Sequence, residues 1–225
     1  MSIAAFIPIK ANSERVPGKN FRPLNGKKLY RYLCEHAVAA DCFDEIYVDT
    51  NSDEIKEYAT KMGLGVIDRK PELALSTANG NDVLVHQFEL FPNYDYYVQL
   101  FVTAPYLQPS TIRRCVEMLT TSETYDSCFT ATEHHGFFWL AGTPVNYRPG
   151  ILPRSQDMLP VIEETTGLYG IKHDALDRYR CRIGRNPYIH IVSPYEAVDI
   201  NTEDDLKIAA SIGQIIYGHK AEVEG

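Results

Sequence analysis

Apolar residues recur along this chain with two alternating periods, and that alternation predicts the architecture. Ala4 to Ile9 is a short apolar run with β-branched residues and Pro8 near its end, the pattern of a buried strand about to enter a loop. From Lys27 to Ala40, Leu29, Leu33, His36, Ala37 and Ala40 fall three and four positions apart, the stripe of a helix laid against a sheet. Glu45 to Asp49 reads as the second strand. Ser52 is placed as the N-cap of a helix running through Met62, and Gly63 as its stop before the short strand Gly65 to Ile67. A helix around Asn81 to Phe91, a strand from Tyr96 to Val102, a helix from Pro109 to about Leu119 and a strand from Ser127 to Thr132 continue the rhythm. Such alternation predicts an α/β fold built on a doubly wound, mostly parallel, Rossmann-like sheet.

After Glu133 the rhythm breaks. Phe137 to Leu140 and Leu168 to Ile171 look like short strands, separated by a stretch rich in Gly, Pro and Arg with little periodicity. The expectation is a single domain over residues 1–225 that carries Glu133 to Gly167 as an inserted lobe. A strand at His190 to Val192 and a helix from Thr202 to about Ile216 follow. Thr202 to Asp205 resembles a capping box with Asp in place of Glu. His219 to Gly225 is expected to fray.

Composition narrows the function classes. The chain has 225 residues, of which 44% are hydrophobic and 23% charged, enough to bury a full-sized core and to set aside disorder. A formal net charge of −8 disfavours a general nucleic-acid binder, whose affinity comes largely from cations neutralising phosphates. Any anion site must therefore be local. The five cysteines are scattered, odd in number and form no C-x-x-C pair, which suggests neither a disulfide framework nor a zinc knuckle. With no basic leader and no apolar run of about 18 residues, the expectation is a soluble cytoplasmic protein without a membrane or nucleic-acid partner.

The strongest chemical signal follows the first strand: Pro8-Ile-Lys10-Ala-Asn12-Ser13-Glu-Arg15-Val-Pro17-Gly18-Lys19-Asn20. In open α/β sheets ligands bind beyond the carboxyl ends of the strands, where this loop lies. Lys10, Arg15 and Lys19, the Ser13 hydroxyl and several free backbone N–H groups suit a triphosphate, whose oxygens need many donors and charge compensation. A solvated Lys-rich loop is the plainer reading of the same residues. The G-x-x-x-x-G-K-[ST] phosphate loop is absent.

These residues resemble the signature A-R-x-x-S-x-x-x-P-x-K-N of the acylneuraminate and 3-deoxy-manno-octulosonate cytidylyltransferases, and four further segments follow in the same order. Arg69-Lys-Pro71-Glu72-Leu73-Ala74 resembles R-P-x-E-L-A, and Leu100 to Pro105 stands where the family has L-Q-P-T-S-P. Pro153-Arg154-Ser155-Gln156-Asp157 resembles P-R-Q/S-Q, and Val198 to Leu206 resembles I-D-I-D-T-x-x-D-L.

The resemblance implies attack of a hydroxyl of a small acidic acceptor, a 2-keto sugar acid, on the α-phosphorus of CTP with release of pyrophosphate. It implies Lys10, Ser13, Arg15 and Lys19 as phosphate ligands and Asn20 as a loop-fixing or acceptor group. Arg69, Thr77, Ala78 and Asn79 would lie near the base, with Gln99 and Thr103 also on the nucleotide side. Asp199, with Asn201 beside it, would hold Mg²⁺, because a hard cation wants carboxylate and phosphate oxygens; an N-cap or loop carboxylate is the competing reading of Asp199. Arg154, Gln156 and Tyr169 would meet the acceptor, and the inserted lobe would form a homodimer contact that could carry Arg154 and Gln156 to the neighbouring subunit's site.

Several residues depart from the family pattern. Lys10 replaces an arginine and loses the planar fork, Phe101 and Val102 replace a Gln-Pro pair, and Asn201 replaces an aspartate. Gln99 lies two residues before Phe101 on the same strand face and could substitute for the missing amide. Glu163 to Gly167 replaces an R-x-N-G-like run, which lowers positive charge near the expected acceptor carboxylate. These departures leave open a catalytically silent nucleotide-binding relative, another base or another acceptor. A sugar-1-phosphate nucleotidyltransferase is disfavoured by the lack of a glycine-rich opening. His134-His135 lacks a third ligand at metal spacing, and Phe137, Phe138 and Trp139 read as interface or core rather than a stacking platform.

Overall fold

The computed structural model describes residues 1–218; the tail His219 to Gly225 lies outside the described residues. Seven strands form the main sheet: β1 (Ile3–Ile9), β2 (Glu45–Thr50), β3 (Gly65–Asp68), β4 (Tyr96–Leu100), β5 (Ser127–His134), β6 (Val161–Lys172) and β7 (Pro187–Ile191). Six helices accompany them: α1 (Leu29–Ala40), α2 (Asp53–Lys61), α3 (Gly80–Leu90), α4 (Pro109–Thr121), α5 (His173–Tyr179) and α6 (Glu203–Gly218). Across the sheet the order is β3-β2-β1-β4-β6-β5-β7. All neighbours run parallel except β6, which is antiparallel to both β4 and β5.

The apolar run of β1 explains why helices cover both faces. Its alternate residues Ile3, Ala5, Ile7 and Ile9 join one buried cluster with Leu33 and Ala37 of α1, Ile55 of α2 and Ile112 of α4. Ala4 and Phe6 face the other way, onto Leu84 and Phe88 of α3 and Leu176 of α5. A strand buried on both faces needs a continuous hydrophobic run, which β1 has. The helix starts are those the side chains favour. Ser52 Oγ accepts from Ile55 N at 3.5 Å, and at α6 Thr202 Oγ1 accepts from Asp205 N at 3.1 Å while the Asp205 carboxylate accepts from Thr202 N at 2.8 Å.

The chain departs from the sequence expectation after β5. The stretch from Glu133 to Gly167 begins in β5 and ends in β6, with Val161 paired to His134 at the far end of the main sheet. The strand expected at Phe137 to Leu140 is only Trp139–Leu140, in a tight hairpin with Thr143–Pro144. The strand expected from Leu168 starts seven residues earlier, at Val161. Its first half is exposed and acidic, so the alternation that marks a half-buried strand is missing there. The last sheet strand lies at Pro187–Ile191 rather than His190 to Val192, and the short helix α5 has no counterpart among the elements that the sequence pattern predicts.

One irregularity of β6 positions the site. Its register against β5 shifts between Glu164 and Tyr169, and Thr166 within the shift has φ 51°. A bulge with a non-glycine residue in the left-handed region is costly, and it re-aims the side chain that follows from the sheet toward the strand ends.

Among the described residues no helix is long and apolar enough to cross a membrane.

Candidate active site

A cleft of about 600 Å³ opens beyond the carboxyl ends of β1 and β4, where an open α/β sheet places its ligand. Its floor and one wall come from the loop after β1. Gly18 adopts φ 63° and starts a short 3-10 turn, Lys19–Phe21, that folds Lys19 inward. Lys19 is buried and donates from Nζ to the Ile200 carbonyl at 2.6 Å. Asn20 donates from Nδ2 to the Lys10 carbonyl at 2.9 Å and so fixes the two ends of the loop to each other. Lys10 reaches across the cleft and donates to the Leu75 carbonyl at 2.6 Å.

The opposite lip is the segment before α6. Ile200 N donates to the Thr103 carbonyl at 2.9 Å, which fastens this segment to the chain just past β4. Arg15 Nη2 donates to Asn201 Oδ1 at 2.6 Å, and Asn201 Nδ2 donates to Asp199 Oδ2 at 2.6 Å. The re-aimed Thr166 donates to the same Asp199 oxygen at 2.8 Å. Asp199 Oδ1 is buried and has no hydrogen-bond partner. A buried carboxylate oxygen left unpaired is costly, and here it belongs to a residue that lines the cleft. One carboxylate oxygen with a neutral amide beside it fits Mg²⁺, which usually takes one or two carboxylates and completes its shell from water and substrate phosphates.

The two lysines titrate below the ordinary lysine range. Burial lowers the pKa of Lys19, against the opposing pull of the Asp199 charge. Burial also lowers the pKa of Lys10, helped by the Arg69 charge nearby. A bound polyphosphate would favour both charged forms, so triphosphate affinity should weaken on the alkaline side as these lysines lose their protons. Folding has the opposite sign. A lysine whose folded pKa is depressed leaves the unfolded chain binding more protons, so stability rises with pH through that window. Triphosphate affinity measured by calorimetry should therefore fall at alkaline pH while the protein remains folded, and Lys10→Arg should shift the decline to higher pH. An unchanged profile in Lys10→Arg would take Lys10 out of the phosphate site.

Arg69 lines the cleft from below but is not free. Its Nε donates to Asp49 Oδ1 at 2.8 Å and Nη2 to the Asp49 carbonyl at 3.0 Å, while Gln87 Nε2 donates to Asp49 Oδ2 at 2.7 Å. All three side chains are buried. Asn79 and Gly80 bring the start of α3 to the cleft, with Asn79 Oδ1 accepting from Asn81 N at 2.8 Å as the cap.

Of the residues singled out from the sequence, Lys10, Ser13, Arg15, Lys19, Asn20, Arg69, Ala78, Asn79, Thr103, Asp199 and Asn201 all line this one cleft. Thr77 is exposed beside it and does not line it. Gln99 is fully buried, donating to the Gly80 carbonyl at 3.1 Å, so it supports the wall rather than forming it. Tyr169 is buried, with the guanidinium of Arg182 over its ring. Arg154 and Gln156 are exposed and do not line their own chain's cleft; Arg154 pairs with Asp157 at 2.6 Å. Among the described residues no group of three His, Cys, Asp or Glu is arranged to hold a metal, and His134 instead meets Glu163 at 2.8 Å.

Thr166 and Arg182 are two of the cleft residues that the sequence pattern does not mark as site residues. Thr166 lies in the acidic run whose strand was not recognised. Arg182 follows α5 in a stretch without periodicity, and only the fold brings it to the cleft.

A family model described as cytidylyltransferase matches residues 4–144. The chain is 26% identical over 215 residues to N-acylneuraminate cytidylyltransferase A of Danio rerio, covering 92% of this chain and 50% of that one. It is 35% identical over 125 residues to the CMP-N,N'-diacetyllegionaminic acid synthase of Legionella pneumophila, covering 52% of this chain and 53% of the other. The chain spans about half the length of these curated relatives. Among solved structures it is similar in fold to a CMP:2-keto-3-deoxy-manno-octonic acid synthetase complexed with CTP, with TM-score 0.71 and 15% identity over 94% of this chain and 98% of that one.

Proposed function

The chain belongs to the cytidylyltransferase family, and from that premise we propose that it transfers CMP from CTP to the hydroxyl of a 2-keto sugar acid. The acceptor oxygen forms a bond to the α-phosphorus, the bond from that phosphorus to the bridging oxygen breaks, pyrophosphate leaves, and the hydroxyl proton passes to solvent. The observation that carries this reading is the convergence of Lys10, Arg15 and Lys19 with the unpartnered Asp199 Oδ1 in one cleft.

Such a reaction is catalysed mainly by positioning and charge stabilisation. Lys10, Arg15 and Lys19 hold the β- and γ-phosphates and carry the charge that builds on the leaving pyrophosphate. Asn20 keeps the loop closed around them. Asp199, oriented by Thr166 and Asn201, would hold Mg²⁺, which when bound would withdraw charge from the α-phosphate. Arg69, Ala78 and Asn79 form the wall proposed for the base, where Asp49 and Gln87 keep Arg69 in one rotamer.

The proposed working unit is a homodimer. Trp139, Leu140, Ile151, Leu152 and Leu159 are all more than half exposed on the 133–167 segment, an apolar surface that a second copy would cover. In that assembly Arg154 and Gln156 would stand at the neighbouring subunit's cleft. The five cysteines, all free, suit a reducing cytoplasm.

Pyrophosphate release with Mg²⁺ across CTP, GTP, UTP and ATP, each against N-acetylneuraminate, N,N'-diacetyllegionaminate and 2-keto-3-deoxy-octulosonate, tests the reading. Release is expected only with CTP and one class of acid. Triphosphate binding without release for any acid would favour the catalytically silent relative suggested by Phe101 and Asn201.

A further inference from the structure

Arg182 lines the cleft and has no task in the proposed reaction. Its backbone N–H donates to Asn81 Oδ1 at 3.0 Å, which ties the loop after α5 to the first turn of α3. The guanidinium carbon sits 3.7 Å from the Tyr169 ring centroid and 5.7 Å from that of Phe101, so two aromatic faces support it. A Cβ on Gly80 would come within 2.7 Å of Arg182 Nη1, so the absence of a side chain there admits the guanidinium to the wall. The nearest acid, Glu164, is 3.9 Å away, beyond hydrogen-bond distance, and accepts instead from the Tyr169 hydroxyl at 2.7 Å. Among the described residues the Arg182 side chain makes no hydrogen bond, whereas Arg15 and Arg69 are both engaged. A planar fork of donors, stacked on two rings and with only a long ion pair to Glu164, has its hydrogen-bond donors ready for an oxygen acceptor.

The position along the strand says which part of a ligand arrives there. Thr166, which holds Asp199, and Tyr169, which supports Arg182, both belong to β6, so Asp199 and Arg182 border the cleft along the same strand. A hydroxyl reacting beside Asp199 therefore leaves the opposite end of the same molecule at Arg182.

Resting on the cytidylyltransferase reading, we infer that Arg182 is a specificity residue for the acceptor, donating hydrogen bonds to a hydroxyl or acylamido oxygen at the end remote from the reacting centre. The acceptor class is then a long-chain 2-keto acid with such an oxygen, and a chain that ends in carbon alone is rejected.

The test is steady-state pyrophosphate release by the full chain and by Arg182→Met and Arg182→Lys. Substrates are the acid that the wild type uses best and analogues lacking one remote hydroxyl or acylamido oxygen at a time. Arg182→Met should raise the acceptor KM about tenfold or more with the CTP KM unchanged, since a lost hydrogen bond to a charged donor is worth roughly that factor. The wild type should lose a similar factor on one analogue, and Arg182→Met should lose nothing further on it. Arg182→Lys, which keeps the charge but not the fork, should fall between them, and an unchanged CTP KM shows that both variants fold. A raised CTP KM, an unchanged acceptor KM, or an analogue penalty that persists in Arg182→Met overturns the inference alone. A wild type that releases no pyrophosphate with any acid overturns the reading on which it rests, and the inference with it.

Discussion

Asp199→Asn should lower Mg²⁺-dependent turnover about 10²- to 10³-fold, with a much smaller effect on triphosphate affinity measured without metal. The size follows from what the substitution removes. Asparagine keeps the volume and can still accept from Thr166, so the lip before α6 stays in place. The buried Oδ1, unpartnered in the free protein, is replaced by a neutral atom, and the negative charge that Asp199 brings to the cleft is lost. Removing one preorganised electrostatic partner of a transition state typically costs that range in kcat. The same substitution removes the charge that opposes the depression of the Lys19 pKa, so the alkaline limb of triphosphate binding should move to lower pH. Kinetics with Mg²⁺ and calorimetry without it separate the two effects. Normal turnover in Asp199→Asn would return Asp199 to the role of a loop carboxylate.

The parts of the fold legible from sequence are those where local chemistry and burial agree. β1 is buried on both faces and reads as an unbroken apolar run; α2 and α6 are announced by Ser52 and by Thr202 with Asp205, whose side chains make the capping bonds expected of them. β6 was half-hidden because Glu163 and Glu164 are exposed and the register shift at Thr166 breaks the two-residue period, so only its buried end from Leu168 showed. The first-loop cations could be named because three cations close together in a loop after a strand are informative in themselves. Arg182 could not, because its meaning comes from Tyr169, Phe101 and Gly80, which are distant in sequence. Arg69 was marked by resemblance, but its constraint by Asp49 was invisible: Asp49 ends the strand pattern of β2 as any polar residue would. The same limit explains Gln99, expected at the ligand and found behind the wall.

That buried pair supports the second large effect. Asp49→Ala should destabilise the protein by about 3–5 kcal/mol, because it leaves the buried Arg69 guanidinium without its counter-charge. For a chain of this size that corresponds to a fall of roughly 10 °C in Tm. Gln87 would also lose the acceptor for its Nε2, which adds to the cost. Loss of stability alone would be compatible with a purely structural pair, so the informative variant is the double substitution Asp49→Leu with Arg69→Met. Replacing a buried ion pair by apolar residues of similar volume is often neutral, so the double variant should recover the part of the Tm lost to the stranded charge, while Gln87 still lacks its acceptor. It should nevertheless bind CTP weakly, because the cation at the base wall is gone. Thermal unfolding and CTP titration of the two variants together decide the matter. Recovery of both stability and CTP affinity would make Asp49 and Arg69 scaffold; recovery of stability without affinity would show that the pair is retained, at a cost in desolvation, to hold one arginine at the nucleotide.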